Sequence, residues 1–426
     1  MNFMPTTASV TPASSRVDPR SVPGALIVGG AHVSIAVARS LGRRGIPVWL
    51  LANHPIPTYS RYVKRSFPWA GADHPDGLSS IIDLAKQHNL QGWVLIAAGD
   101  QDMRLIAKNH ALLSQHFRVA TPDWDTIQWV YDKRLTYQRA AELGMDFPAS
   151  FHPRSLDEIE RLECRFPVIL KPAFRKGMDE FTQAKAWMVN DREQLLTLYK
   201  RAAALVGNDA IIVQEWIHGT GESQYSCAGL WERGEPVVSL VARRRRQHPI
   251  DFGRSSTYVE TIEQPEVEAL ACRFLKSINY TGVVEVEFKH DHRDGHYKLL
   301  DVNGRFWTWN GLGPLAGVDF PYLAWRQALG EIVAPARARP GAAWMHTSRD
   351  VLAAYEEISN GTLTVRDYLA SFRKPLAFAN FALDDPMPAI VELPVAAWNR
   401  FAHGPLGRMR DKLAQKFGFA GRPAAK

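Results

Sequence analysis

Residues 282–307 alternate apolar and polar side chains, and this pattern constrains the fold more than any other part of the chain. We predict a β-hairpin that turns at Arg293-Asp294-Gly295, with the glycine in the left-handed conformation. In this register residue 287 lies opposite residue 301, and residue 285 lies opposite residue 303. One face is then apolar and carries Val284, Val286, Phe288, Leu300 and Val302. The opposite face carries Glu285, Glu287, Asp301 and Asn303.

Two acids face each other on the polar side of this hairpin. Directly opposed Cβ atoms lie about 5 Å apart, so Glu287 and Asp301 repel each other unless a cation lies between them. Mg²⁺ prefers oxygen ligands and commonly uses one or two carboxylates, leaving positions for substrate phosphates. We therefore predict that Glu287, Asp301 and Asn303 bind Mg²⁺, or Mn²⁺ in its place. A polar face that is merely exposed to solvent remains the alternative, and Arg305 directly after the strand disfavours it.

The chain divides into four predicted parts. Residues 1–22 are polar, lack the apolar centre of a secretory signal and are expected to be a disordered tail. Residues 23–121 contain strands at 25–30, 47–52 and 92–97 with helices between them, which indicates an α/β domain with a parallel sheet. Residues 122–332 contain strands joined by short polar turns, which indicates an α+β region. Residues 333–426 form a C-terminal appendage of unknown role.

Composition excludes several classes of protein. A hydrophobic content of 46% and a charged content of 22% fit a globular protein, and no window has the ~18–20 apolar residues of a membrane span. Three scattered cysteines argue against a disulfide scaffold or structural zinc, so we expect a cytoplasmic protein. The net charge of +7 favours acidic small molecules and nucleotides, and nucleic acid is not indicated. The sequence does not define an oligomeric state.

Two basic segments have competing interpretations. Strand alternation should direct half of the arginines at 243–246 inward, and we assign Arg245 to a substrate or phosphate rather than to a solvated charge run. Near the C-terminus, apolar residues recur at helical spacing among basic ones between Leu406 and Phe417. We favour a terminal helix packed on the protein over one that contacts a membrane surface.

The turn Gly29-Gly30-Ala31-His32 suggests a dinucleotide site but lacks the GxGxxG pattern. Asn53 also stands where an acid for the ribose is expected. NAD is therefore disfavoured, and either a substrate carboxylate or a structural turn is expected at this helix N-terminus. Asp100, after the third predicted strand, is interpreted either as a contact for a substrate amine or as a helix cap.

Cationic and strand-end residues complete the pattern. Lys171 ends a strongly apolar strand, where an unpartnered charge is rare, and Lys133 lies at the start of a helix. Residues 214–217 run into a bend at which backbone groups could meet a planar base, and Glu222 follows as an acceptor for ribose hydroxyls. Taken singly, these residues fit surface lysines and an edge strand followed by a turn equally well.

In order and approximate spacing, these segments together resemble the ATP-grasp superfamily over about residues 23–330. The likeness is greatest to the carboxylate–amine ligase branch that includes D-aspartate ligase, and more distant to D-alanine–D-alanine ligase and biotin carboxylase. It implies a pre-ATP-grasp domain followed by an ATP-grasp fold of two α+β subdomains. Lys133 and Lys171 would then bind the ATP phosphates, and Arg305 would face the transferring phosphate or the acyl intermediate. The remaining assignments are Gln214, Glu215 and Ile217 at adenine, Glu222 at ribose, and Glu287, Asp301 and Asn303 at Mg²⁺.

The chain departs from the superfamily pattern at two places. The loop after Lys171 has a single glycine where many members have a glycine-rich loop over the phosphates, and Arg175, Lys176 and Lys185 could supply charge there. Asp301 is a shorter ligand than the more usual Glu.

The resemblance implies an enzyme that uses MgATP to join a small carboxylate to an amine through an acyl phosphate. The alternatives are a carboxylase-type enzyme that activates bicarbonate and, disfavoured, an NAD-binding oxidoreductase or a non-catalytic nucleotide-binding module. The complete set Glu287, Asp301 and Asn303 argues against the last, since a degenerate member would be expected to lose its metal ligands first.

Overall fold

A computed structural model describes residues 22–174, 179–184, 186–219, 221–250 and 255–403. The expectations for the tail before residue 22, for Arg175, Lys176 and Lys185, and for the run at 406–417 lie outside the described residues. Within the described ranges, none of the helices combines the length and apolar character that crossing a membrane requires.

The N-terminal unit is a five-stranded parallel sheet with helices packed on it, which confirms the predicted α/β class. Its elements are β1 (Ala25–Val28), α1 (His32–Gly42), β2 (Val48–Ala52), β3 (Val63–Pro68), α2 (Gly77–His88), β4 (Val94–Ala97), α3 (Asp100–Lys108), α4 (His110–Leu113) and β5 (Arg118–Val119). The strand order is β3-β2-β1-β4-β5. The sequence pattern missed β3 because it is a largely exposed edge strand, VKRSFP, with little apolar alternation.

A small antiparallel sheet follows, after two helices that cross over from the N-terminal unit. The elements are α5 (Trp124–Tyr131), α6 (Lys133–Glu142), β6 (Ser150–Phe151), α7 (Leu156–Arg161), β7 (Val168–Pro172), α8 (Glu180–Ala184), β8 (Trp187–Val189), α9 (Arg192–Val206) and β9 (Ile211–Glu215). The strands pair in the order β6-β9-β7-β8. Asp191 caps α9, because its carboxylate accepts from the backbone N–H of Gln194. This sheet has a hydrophobic core of its own.

A large eight-stranded sheet makes up most of the remaining chain. Its elements are β10 (Gln224–Glu232), β11 (Glu235–His248), β12 (Ser255–Ile262), α10 (Pro265–Ser277), β13 (Gly282–His290), β14 (Tyr297–Asn303), α11 (Phe320–Ala328), β15 (Ala336–Arg337), β16 (Ala343–Met345), α12 (Thr347–Ser359), α13 (Val365–Ala370), β17 (Leu376–Phe378) and α14 (Met387–His403). The strands follow the order β14-β13-β10-β11-β12-β16-β17, and β15 pairs with β11. Strands β15 to β17 come from the predicted appendage, so that part of the chain extends this sheet.

The C-terminal segment also packs against the N-terminal unit. The buried guanidinium of Arg39, in α1, pairs with the buried carboxylate of Asp385 at 2.9 Å and donates to the carbonyl of Asn380. The Ser60 hydroxyl and the Arg61 backbone N–H donate to the same carboxylate. The N-terminal unit and the large sheet share hydrophobic clusters as well, so their facing surfaces are held as one packed body.

Candidate active site

A cavity of about 620 Å³ opens where the small sheet, the large sheet and the N-terminal unit meet. This volume suits a small-molecule ligand. Six cationic side chains and five carboxylates line it: Lys133, Lys171, Arg244, Lys289, Arg305, Arg349, Asp100, Glu215, Glu285, Glu287 and Asp301. Such a density of opposed charge is unusual for a packing defect and marks a functional site.

The β13–β14 hairpin forms one wall and has the predicted register at its functional end. Glu287 pairs with Asp301, and Glu285 pairs with Asn303. The connection is longer than the predicted three-residue turn, because β13 ends at His290 and β14 begins at Tyr297. An irregularity in the pairing directly after Glu287 compensates for this difference and restores the register.

The same irregularity makes the prediction for Leu300 wrong. Leu300 was expected on the apolar face, but Leu299 is fully buried there and Leu300 lines the cavity. An extra residue in one strand moves the neighbouring side chain to the other face of the sheet. The Leu300 carbonyl accepts a hydrogen bond of 2.8 Å from the Tyr137 hydroxyl, which anchors the displaced residue.

Glu285 shares the carboxylate cluster although the sequence analysis left it out of the ligand set. The Asn303 Nδ2 donates to Glu287 Oε1 at 2.9 Å and to Glu285 Oε2 at 3.2 Å. Burial, followed by repulsion from Glu287, raises the pKa of Glu285 to about 8. A protonated Glu285 relieves its own repulsion from Glu287, which is separate from the repulsion predicted between Glu287 and Asp301. Its place two residues before Glu287 on the same face was the signal that could have identified it.

The chain's own cations hold the other two carboxylates. Lys133 Nζ forms an ion pair with Asp301, and Arg244 Nη2 lies 3.1 Å from Glu287 Oε2. In the ranges that the structure describes, no group of three or more His, Cys, Asp or Glu side chains is gathered to hold a metal ion. The predicted set is therefore two carboxylates and an amide, an oxygen-donor set that Mg²⁺ accepts when substrate phosphates complete its coordination. Asn303 would have to turn its amide, because its Oδ1 now accepts from Arg305.

Two lysines reach the cavity from separate elements, as the spacing suggested. Lys171 lies in β7, is buried, and donates to the Tyr137 hydroxyl at 2.8 Å. Burial, followed by repulsion from Lys133, lowers the pKa of Lys171 to about 7. Lys133 opens α6 behind the N-cap Asp132. The two ammonium groups thus meet at the cavity from a strand and from a helix N-terminus.

The predicted base-binding segment also lines the cavity, at the end of β9. Gln214, Glu215 and Ile217 all contribute to the wall, and the Glu215 carboxylate is held by Arg293 at 2.7 Å. Lys289 was missed: its Nζ donates to the Gly219 carbonyl at 3.0 Å and lies 4.7 Å from the centre of the Trp216 ring. The missed signal was again period two, since Lys289 follows Glu287 on the same face.

The structure does not place Arg245 or Glu222 in the cavity wall. Arg245 Nη1 lies 3.1 Å from Glu222 Oε1, and both side chains are more than a third exposed. The pairing of β11 with β12 is irregular between Arg244 and Arg246, so the simple alternation that favoured Arg245 breaks at this point. Arg244 instead faces the cavity and bonds to Gln224 Oε1 at 2.7 Å.

Arg305 links the hairpin wall to the N-terminal unit. Its Nε lies 2.6 Å from Asp100 Oδ1, at the first residue of α3. Gly99 is the N-cap of that helix, so the alternative reading of Asp100 as the cap was wrong. This ion pair holds the Arg305 guanidinium in position at the cavity wall.

The sequence of this chain is similar to those of known ATP-grasp proteins. Residues 209–348 match a family model described as ATP-grasp in the biosynthetic pathway with Ter operon. The chain is 24% identical to D-aspartate ligase of Enterococcus faecium over 260 residues, which are 56% of this chain and 61% of that protein. It therefore spans about three fifths of the length of that relative.

Comparisons of the structure give the same fold. A biotin carboxylase domain of the 2-oxoglutarate carboxylase of Hydrogenobacter thermophilus, solved with MgADP and bicarbonate, has a TM-score of 0.59 at 16% identity and covers 75% of this chain and 73% of its own. The L-amino acid ligase of Bacillus licheniformis has a TM-score of 0.55 at 14% identity and covers 75% and 78%. At these identities the likeness shows the shared fold.

Proposed function

We propose that this chain, which has the ATP-grasp fold, is a ligase that uses ATP to join a carboxylate to an amine. The observation that carries the proposal is the meeting, in one cavity, of Glu287, Asp301 and Asn303 with Lys133 and Lys171. These residues come from β13, β14, α6 and β7, so their convergence is a property of the fold and not of one local motif.

The reaction needs an activated acid. A substrate carboxylate oxygen attacks the γ-phosphorus of ATP, the bond to the β-phosphate bridging oxygen breaks, and ADP leaves. An amine then attacks the acyl carbon, phosphate leaves with one former carboxylate oxygen, and the amine loses a proton. No side chain acts as a nucleophile in this scheme, so positioning and charge neutralisation are what the protein must supply.

We assign that task to cationic side chains that line the cavity. Lys133 and Lys171 would hold the ATP phosphates, and Arg244 would add charge beside Glu287. Arg305, oriented by Asp100, would face the phosphoryl group that is transferred. Glu287, Asp301 and Asn303 would hold Mg²⁺, which would supply further neutralisation of phosphate charge.

The nucleotide base would lie at the end of β9. Ile217 and Gln214 are both buried and line the cavity, and Ile217 offers an apolar surface there. The ribose role predicted for Glu222 stays a prediction, and it would require Glu222 to leave its ion pair with Arg245.

Activation of bicarbonate is a second candidate, because one structural neighbour is a carboxylase domain solved with bicarbonate. The same ATP site could phosphorylate bicarbonate in place of an organic acid. The two candidates differ in the acid, so one assay separates them.

The test measures ADP release from the purified protein with MgATP, across a matrix of amines, amino acids of both enantiomers and small carboxylates, with bicarbonate as one row. We expect release that requires one organic acid and one amine together. Release only with bicarbonate would support the carboxylase, and silence with confirmed ATP binding would overturn the ligase proposal. Arg244→Gln and Arg245→Gln form a matched pair of variants for this assay. Arg245→Gln is the control, because the Arg245 side chain lies outside the cavity wall.

A further inference from the structure

Tyr137 is a buried side chain that contacts groups of the cavity wall from behind. It lies in α6, is 3% exposed, and does not itself belong to the wall within the described ranges. Its hydroxyl accepts a hydrogen bond of 2.8 Å from Lys171 Nζ and donates one of 2.8 Å to the Leu300 carbonyl. Both partners line the cavity. Tyr137 can therefore act on a bound ligand through these neighbours and not by direct contact.

The Tyr137 hydroxyl is held in one geometry. The ring stacks on Phe147, with 5.3 Å between the ring centres and 16° between the ring planes. Burial raises the pKa of Tyr137 to about 12, so the hydroxyl keeps its proton. An ammonium can only donate and a carbonyl can only accept, so the one hydroxyl proton goes to Leu300 and a lone pair goes to Lys171.

The position of the Lys171 ammonium depends on this contact. Among the described residues, the Tyr137 hydroxyl is the hydrogen-bond acceptor that Nζ contacts, and Nζ also lies 5.1 Å from the centre of the Tyr137 ring. Lys171 is buried, and the charge of Lys133 repels it. Without an acceptor, a long side chain under such repulsion turns away or gives up its proton. The hydroxyl thus keeps the ammonium at the cavity wall.

Helix α6 supplies this acceptor and the other lysine together. Lys133 and Tyr137 are four residues apart in α6, so they lie on the same face of the helix, one turn from each other. One helix therefore presents one lysine to the cavity directly and holds the other, Lys171 of β7, through a hydroxyl. The second bond of the hydroxyl reaches Leu300, which directly precedes Asp301 in β14.

We propose that Tyr137 is a positioning residue that aims the Lys171 ammonium at the phosphates of the nucleotide. The inference rests on the proposed function and deepens it, because it makes the contact between Lys171 and phosphate depend on a residue that touches no substrate. Replacing Tyr137 by phenylalanine keeps the ring and its stacking on Phe147 and removes the acceptor.

The test is a double-mutant cycle in which calorimetry measures the affinity for MgATP, without any need for turnover. The four proteins are the wild type, Tyr137→Phe, Lys171→Met and the double variant. In the wild-type background, Tyr137→Phe should weaken binding about 3- to 10-fold, the range for one lost hydrogen bond. In the Lys171→Met background, the same substitution should change the affinity by less than about twofold, because the group through which it acts is gone.

Tyr199→Phe is the matched control. Tyr199 is also buried, its hydroxyl also donates to a backbone carbonyl, that of Pro153 at 2.9 Å, and it lies outside the cavity wall. The two phenylalanine variants should lose similar amounts of stability in thermal denaturation. Tyr199→Phe should nevertheless keep its MgATP affinity within about twofold, so a selective loss in Tyr137→Phe cannot come from lower stability.

Three results would overturn the proposal. They are wild-type affinity in Tyr137→Phe, an equal loss in both backgrounds of the cycle, and a loss in Tyr199→Phe as large as that in Tyr137→Phe. Coupling between Tyr137 and Lys171 without ADP release from any substrate would remove the ligase function and leave the role of Tyr137 standing. ADP release and MgATP affinity that are both unchanged in Lys171→Met would keep the ligase function and overturn this inference.

Discussion

Replacing Asp385 by alanine tests whether the C-terminal segment is an integral part of the fold. The side chains of Asp385 and Arg39 are only 1% and 6% exposed, so the substitution leaves a buried guanidinium without its carboxylate. Breaking a buried pair in this way costs about 3–5 kcal/mol. An unfolding entropy near 2.1 cal/mol/K per residue gives about 0.9 kcal/mol/K for a chain of 426 residues, so the midpoint should fall by roughly 3–6 °C.

The neighbouring residue provides a matched control. Asp384 pairs with Arg43, but both side chains are about two fifths exposed, and exposed pairs contribute about 1 kcal/mol or less. Asp384→Ala should therefore shift the midpoint by about 1 °C in the same thermal denaturation assay followed by circular dichroism. Equal shifts for the two variants would refute the reasoning, because burial is the main difference between the two pairs.

Three further predictions concern the cavity and its rim. Arg244→Gln should lower kcat/KM for ATP about 10- to 100-fold in the ADP-release assay, while Arg245→Gln should stay within about twofold, and the reverse order would contradict the placement of the two arginines. Lys171→Met should weaken MgATP binding by calorimetry by at least about tenfold, and unchanged affinity would remove Lys171 from the nucleotide site. Burial lowers the pKa of His346 from 6.5 to about 4, so below pH 6.5 the unfolded chain gains a proton that the folded chain excludes. The unfolding free energy should therefore fall by about 3 kcal/mol between pH 6.5 and 4, and His346→Gln should flatten that slope in denaturant titrations.

The hairpin shows how far the sequence predicts the site. The alternation predicted which residues share a face, because a shift of one residue would have exposed the apolar face. The pairing of Glu287 with Asp301 came from the assumed three-residue turn, and it holds because the irregularity after Glu287 compensates for the longer connection. The irregular pairing that moved Leu300 into the cavity leaves no mark in the period-two pattern. It lies where the pairing passes from Glu287–Asp301 to Phe288–Leu299 and leaves Leu300 without a partner residue in β13.

The prediction that Arg245 faces the cavity was wrong for a similar reason, an irregularity in strand pairing. Alternation assumes a regular strand, and β11 is irregular at Arg244, so the choice between neighbours could not be made from spacing. The strands contributed by residues 333–378 were also not predicted. β15 to β17 have only two or three residues each, too few to show a period, and they are set by their pairing with β11, β12 and one another.

The most direct test of the proposed chemistry follows an isotope through the reaction. The acid identified by the ADP-release matrix is labelled with ¹⁸O in its carboxylate and incubated with MgATP, the amine and the protein, and the released phosphate is analysed by mass spectrometry. An acyl phosphate intermediate transfers one labelled oxygen to phosphate for each product formed, and Asp301→Asn should abolish this transfer. Product formed with unlabelled phosphate would contradict the account, because the carboxylate oxygen would then never have been bonded to phosphorus.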